Sequence, residues 1–249
     1  MLYRALLIIV LMSSALFAFT LESSPSANAT SGLTIISQSV LDGALSPLLS
    51  VNGWGVSYQR LYNLNSLPAY ELAASLPVKS VQFSAGSGYL AHTDYRDIRP
   101  WLNLGYITGD FGLGVGVSGH FDSIQGSDSR QKYALNLAAQ KQLFGGAVEW
   151  KSTDIGTSDL SHSLSLKSPQ QEFGVLAAGC EYLQEELIFK TAIHAEIFRA
   201  LSVAASWQNR PSRFGIGLFL KADAWKLAYS IRSHPYLNYS HAISLESCW

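Results

Sequence analysis

The sequence predicts an all-β chain, a transmembrane up-and-down antiparallel barrel of about fourteen strands, with twelve as the alternative count. Three observations predict it. Apolar residues alternate with small or polar ones through nearly every segment after Gly53, the period that sends successive side chains to opposite faces of a strand. Charged residues are only 14% of the chain, against a usual share of about a quarter. Yet mean hydropathy is just +0.13, and no run of about twenty apolar residues follows the amino-terminal region. Aromatic residues also crowd the ends of the alternating segments.

The elements follow in order. Met1–Arg4 is basic, Ala5–Phe19 is an apolar run, and Ala27-Asn28-Ala29 is a small-residue cleavage pattern. Residues 1–29 therefore read as a secretory signal peptide. Residues 30–52 lack the alternation and are the only spare chain able to plug a lumen, which leaves 53–249 for the barrel. Strands are expected near 53–62, 69–76, 80–91, 100–108, 111–121, 131–142, 146–152, 159–167, 173–183, 186–198, 200–208, 214–222, 224–233 and 238–249. Segment 173–183 is partly apolar on both faces, which keeps the lower strand count open. Pro68, Pro77, Pro100, Pro169, Pro211 and Pro235 are expected at strand starts or in connections, because proline cannot donate to a ladder. Short turns such as Gly109-Asp110 alternate with longer polar loops such as 92–97, 122–130 and 152–158, so the two barrel ends should differ.

Gly114, Gly116 and Gly119 fit a G-x-G-x-x-G spacing, but they interleave with Phe111, Leu113, Val115 and Val117. A dinucleotide loop needs a strand before it and a helix after it. Here the motif is itself a strand, and its glycines belong to the lumen face, where they ease curvature and leave room.

Several features send the apolar face to lipid. Lys190, Glu196, Lys221, Lys226, Arg232 and Glu246 all take the opposite parity, as expected when a lipid-facing cation costs roughly 2–4 kcal/mol at the bilayer midplane. Segments of about ten residues suit tilted spanning strands. Trp54, Trp101, Trp150, Trp207 and Trp225 are expected in aromatic girdles at headgroup level. Tyr239, Ile243, Leu245 and Trp249 share one face of the last segment, which looks like the carboxy-terminal insertion signal of bacterial outer-membrane barrels.

The segments AGCEYLQEELIFKTAIH and FGIGLFLKADAWKLAYSIRSHPYLNYSHAISL, with His234-Pro235 and His241 in the closing hairpin, resemble the PorV/PorQ-type barrels, relatives of the FadL-like fold. Segment 61–77 resembles that family's early strands, while 33–51 is shorter than its usual entry. The resemblance implies fourteen strands, a place in the bacterial outer membrane, and a role in transporting small or hydrophobic molecules or in assisting secretion.

No G-x-S-x-G or H-E-x-x-H occurs, so no catalytic, metal or cofactor-binding residue is expected. The alternative, an outer-membrane lipid hydrolase, rests only on the histidines, chiefly Ser161-His162-Ser163; a scaffold for a protein partner is a third reading. Lys190, His194 and Glu196 share a lumen-facing parity and form a candidate polar cluster. Two cysteines, Cys180 and Cys248, are too few for a disulfide framework. A net charge of −1 gives no basic surface for nucleic acid. Expected partners are outer-membrane lipid, the barrel insertion machinery, and a secreted or periplasmic protein.

Overall fold

The computed structural model describes residues 24–49, 51–126 and 129–248. Fourteen strands close into one antiparallel barrel: β1 (Gly53–Arg60), β2 (Pro68–Val78), β3 (Val81–His92), β4 (Tyr95–Thr108), β5 (Phe111–Ile124), β6 (Arg130–Leu143), β7 (Gly146–Ile155), β8 (Ser161–Lys167), β9 (Val175–Leu183), β10 (Glu186–Phe198), β11 (Leu201–Asn209), β12 (Ser212–Ala222), β13 (Trp225–Arg232) and β14 (Ser240–Cys248). Each strand pairs with its neighbours in sequence, and β14 returns to β1 in a register running from Gly53 opposite Cys248 to Arg60 opposite His241. Closure removes the unpaired edges that an open sheet would expose.

The two faces separate as the alternation demands. In β12 the outward residues are Phe214, Ile216, Leu218 and Leu220, and the inward ones are Arg213, Gly215, Gly217 and Phe219. The same division runs round the barrel, leaving an outer band of half-exposed Leu, Val, Ile and Phe. Tyr58, Tyr70 and Tyr89 form an aromatic row across β1–β3 near one rim. Trp54 and Trp225 meet edge-on near the other, with ring centres 5.7 Å apart. Trp150 and Trp207 also face outward.

Trp101 departs from the girdle expected for it. Strand β4 begins at Tyr95 rather than near 100, so Trp101 lies well inside the strand. It points inward in phase with Asn103 and Gly105, and is only 5% exposed. Pro100 is likewise within β4 rather than at its start. Pairing with β5 lapses there, passing from Ile98 opposite Phe121 to Trp101 opposite Ser118, because proline brings no N–H to that ladder.

We call the rim where β1 begins and β14 finishes the terminal end, and the opposite rim the mouth. Connections at the terminal end are two-residue turns except 168–174. The mouth carries the longer connections 61–67, 125–129, 156–160 and 233–239. The expected loop at 92–97 is instead the tight turn Thr93–Asp94, and 184–185 and 210–211 are equally short.

Candidate functional site: a filled lumen and a one-sided vestibule

Residues 24–49 lie inside the barrel. Ser24 caps a short helix, α1 (Pro25–Thr30), by accepting the Ala27 N–H at 2.9 Å, with Pro25 at the first helical position. Ser31 ends the helix in a left-handed conformation (φ 51°). Two 3-10 turns follow, Thr34–Ile36 and Val40–Ala44, the second capped by the Ser39 side chain. All six residues of α1 are buried, which includes the alanines expected at a leader cleavage site.

Small side chains on the inner wall make room for this segment. A Cβ built on Gly215 would lie 2.0 Å from the Asn28 carbonyl oxygen, and one on Gly217 2.5 Å from the Ala29 Cβ. Gly105 and Gly114 do the same for Pro47 and Leu48, at 3.0 and 2.9 Å. One of the glycines in the G-x-G-x-x-G stretch is therefore a docking surface for the chain's own lumen segment. Gly116 instead makes way for the Asn103 side chain, and Gly119 for Phe121 on the outer parity.

Apolar contacts fill three regions. Ala29 packs on Ala204, Phe219 and Ala228. Leu33, Ile35 and Ile36 pack on Ala147, Val175, Ala177 and Ala192. Val40 and Leu41 pack on Ala73 and the inward Trp101. Charged wall residues supply the polar anchors. Glu149 accepts from the hydroxyls of Thr34 (3.2 Å) and Ser46 (2.9 Å), while Lys151 donates to Thr34 Oγ1 (2.8 Å) and the Leu45 carbonyl (3.3 Å). Glu246, 1% exposed, accepts the Val40 N–H at 3.0 Å and pairs with Lys226 at 3.2 Å; Lys226 also donates to the Gln38 carbonyl at 2.6 Å. Buried charges persist when paired and hydrogen-bonded in this way. Within the segment, Asp42 accepts from Ser24 and Ser37. Burial pushes its carboxyl above the usual range, against those serine hydrogen bonds, and the charge of Glu246 adds to the rise.

Between this segment and the mouth lies a cavity of about 740 Å³. Its floor includes Leu33 and Leu45, its wall runs from β4 to β10, and Leu61, Leu64 and Leu67 form an apolar lip. The wall charges are organised in pairs. Asp97, 1% exposed, is held by Arg99 at 2.7 Å, and His120 Nε2 stands 2.9 Å from its other oxygen, off the hydrogen-bond line. Lys190 pairs with Glu181 at 2.7 Å, and Lys132 with Asp159 at 3.5 Å. Asp154, in the left-handed region at φ 57°, also lines the cavity, and its N–H donates to Asn136 Oδ1 at 2.9 Å.

The residues singled out from the sequence are distributed over several places. Lys190 faces the vestibule. His194 instead lies edge-on to Phe219 beside α1, with ring centres 5.7 Å apart, and Glu196 is exposed farther toward the terminal end. His234 Nδ1 accepts from the backbone N–H groups of Tyr236 and Leu237 in the mouth connection, which also holds Pro235, and its ring lies against Tyr62. Burial, then the charges of Arg213 and Arg232, lower its pKa to about 4. His241 faces outward and bonds the Tyr229 hydroxyl at 2.8 Å. Tyr239, Ile243 and Leu245 are on the outer surface, and Trp249 is outside the described residues. His162 is outward-facing and exposed while Ser161 and Ser163 turn inward, which splits the one Ser/His cluster across the wall. The Asp97–Arg99–His120 group and the Glu149/Lys151 anchor went unnoticed in the sequence. Their signal was charge recurring at a spacing of two on the inner parity.

No protein-family model and no curated protein matches the sequence. Among solved structures, a mutant of the porin of Rhodopseudomonas blastica aligns at 10% identity with a TM-score of 0.48, over 80% of this chain and 99% of that one. A triple mutant of the same porin gives 11% and 0.48 over the same spans. A structure described as asymmetric conductivity of engineered proteins gives 10% and 0.44, again over 80% and 99%. At that level of likeness, function has to be argued from this chain's own residues.

Proposed function

We propose that the chain is an integral outer-membrane barrel, non-enzymatic, that admits small solutes from one side and is held shut by its own residues 24–49. The observation carrying this reading is the pairing of a charge-poor apolar outer band with a lumen whose wall is moulded to that segment. In water such a band would be a very large exposed apolar surface; against lipid it is the expected exterior. Short turns lie toward the periplasm in such barrels, so the terminal end faces the periplasm and the mouth faces outward. Solute then reaches the vestibule from outside, and passage requires the lumen segment to shift. The PorV/PorQ-like closing hairpin adds a secretion-accessory role as the finer reading. The outward His162 speaks against a hydrolase built on it.

Two measurements test this. In a Cys180→Ser, Cys248→Ser background, Ser66→Cys at the mouth should react with an impermeant maleimide on intact cells, and Ser80→Cys only after permeabilisation. Liposomes carrying protein without residues 24–49 should swell in isotonic glycine, and those carrying the intact chain should not. Equal labelling of both cysteines, or equal swelling, contradicts the proposal.

A further inference from the structure

We propose that the outer face of the β1–β14 seam, at the mouth, is a binding site for the phosphate headgroup of an anionic membrane lipid, with Arg60 and His241 as its donors. The proposal rests on the outer-membrane reading, in which the outward band meets lipid.

The sign of the outward charges points to the ligand. Among the described residues no strand turns a carboxylate outward; the acidic side chains of the strands take the inner parity or line the vestibule. The outward parity carries Arg60, Arg96, His162 and His241, each the first or second residue of its strand from the mouth, and Lys141 near the terminal end. On a lipid face Arg and Lys cost more than Asp and Glu, yet the basic sign is the one present. Lipid phosphate at headgroup level is the counter-charge that offsets this cost.

The height fits. Tyr58 stands two residues before Arg60 on the same face and packs on Tyr70, with ring centres 5.4 Å apart; Tyr89 is next in the row. Tyrosine rings settle at the headgroup boundary, so Arg60, one step farther out, reaches phosphate depth.

The seam brings two donors together. Arg60 lies directly opposite His241, which puts both side chains on one face with Cβ atoms about 4.5–5.5 Å apart. Arg60 has no ion-pair partner among the described residues and takes no part in the vestibule wall. The Tyr229 hydroxyl bonds His241 Nδ1 at 2.8 Å, and the two rings lie 29° from parallel. With the phenol as donor, the neutral imidazole carries its hydrogen on Nε2. A phosphate can take two parallel N–H bonds from the guanidinium and a third from that Nε2.

The test uses the refolded full chain in neutral detergent and reads retained lipid by native mass spectrometry. Diphosphoryl lipid A and phosphatidylglycerol are the anionic probes, and phosphatidylcholine is the zwitterionic one. A single molecule of at least one anionic lipid should bind about tenfold or more tightly than phosphatidylcholine. Arg60→Gln should weaken it about tenfold, the loss expected for a charge-assisted hydrogen bond. His241→Phe keeps a ring beside Tyr229 and should weaken it at least about threefold. Lys141→Gln removes the outward cation near the other rim and should leave the affinity unchanged. Equal retention of phosphatidylcholine, an equal loss in Lys141→Gln and Arg60→Gln, or full affinity in both seam variants overturns the proposal. Displacement of the lipid by millimolar inorganic phosphate would mark a free-anion site and overturn the lipid assignment. If no anionic lipid is preferred while protein lacking residues 24–49 still permeabilises liposomes, the lipid site falls and the plugged barrel stands.

Discussion

Gly215→Ala tests whether the wall holds α1 in place. The new Cβ would sit 2.0 Å from the Asn28 carbonyl oxygen and 2.8 Å from Ser206 Oγ. Carbon and oxygen in contact normally stand about 3.3–3.6 Å apart, so the helix must retreat by more than about 1 Å or the wall must bow. Retreat also loosens Ala29, which is 0% exposed against Ala204, Phe219 and Ala228. Overpacking of this kind costs roughly 1–3 kcal/mol, which shifts a docked–undocked equilibrium about 5- to 150-fold. A thiol at Ser26, buried in α1, reads that equilibrium in a background free of Cys180 and Cys248. Ser26→Cys should resist a water-soluble thiol reagent in the parent and react about 5- to 150-fold faster with Gly215→Ala. Gly112→Ala is the control, because its Cβ comes no nearer than an ordinary 3.4 Å to Leu48. Parental labelling by Gly215→Ala in a folded barrel would refute the role given to the cradle.

Three further outcomes follow from the same geometry. The mature protein should begin at or before Ser24, since cleavage after Ala29 would strip α1 from the wall and leave Ala204, Gly215, Gly217 and Ala228 facing a void; a mass corresponding to a Thr30 start would contradict this. The imidazole of His234 should stay neutral until about pH 4. The unfolded chain takes up that proton near pH 6.5, so between these values falling pH favours the open mouth connection and rising pH restores it; an NMR titration giving an ordinary midpoint would contradict it. Leu218→Arg, on the outward face of β12, should cost about 2–4 kcal/mol in urea unfolding from lipid bilayers; a change within about 0.5 kcal/mol, the usual size of a water-exposed substitution, would count against a lipid-facing band.

The strand pattern was legible because a period of two survives any tertiary context that buries one face. The closed fourteen-strand barrel follows from it, with most strand boundaries shifted by one to three residues and the start of β4 by five. Trp101 shows what assignment by strand end misses. Its parity with Asn103 and Gly105 marked it as inward, but a start near 100 placed it at a rim. The same misplaced start read 92–97 as a loop and hid Asp97 from its neighbours on β4 and β5. Gly114 of β5 and Gly215 and Gly217 of β12 could be assigned to the inner face, yet not to Pro47, Leu48, Asn28 and Ala29, while Gly119, read with them, shares the outer parity of Phe121. Those contacts join residues far apart in sequence, and the lumen segment has no periodicity of its own. Lys190, His194 and Glu196 share a parity but diverge in height along β10, so each meets a different environment.

The central claim is that residues 24–49 close a membrane-spanning barrel. Single-channel conductance in planar bilayers tests it most directly, comparing the intact chain with one lacking those residues. The account predicts silence from the intact protein and steady conductance after the deletion. Steady conductance from the intact protein, or silence from a correctly folded deletion, would contradict it.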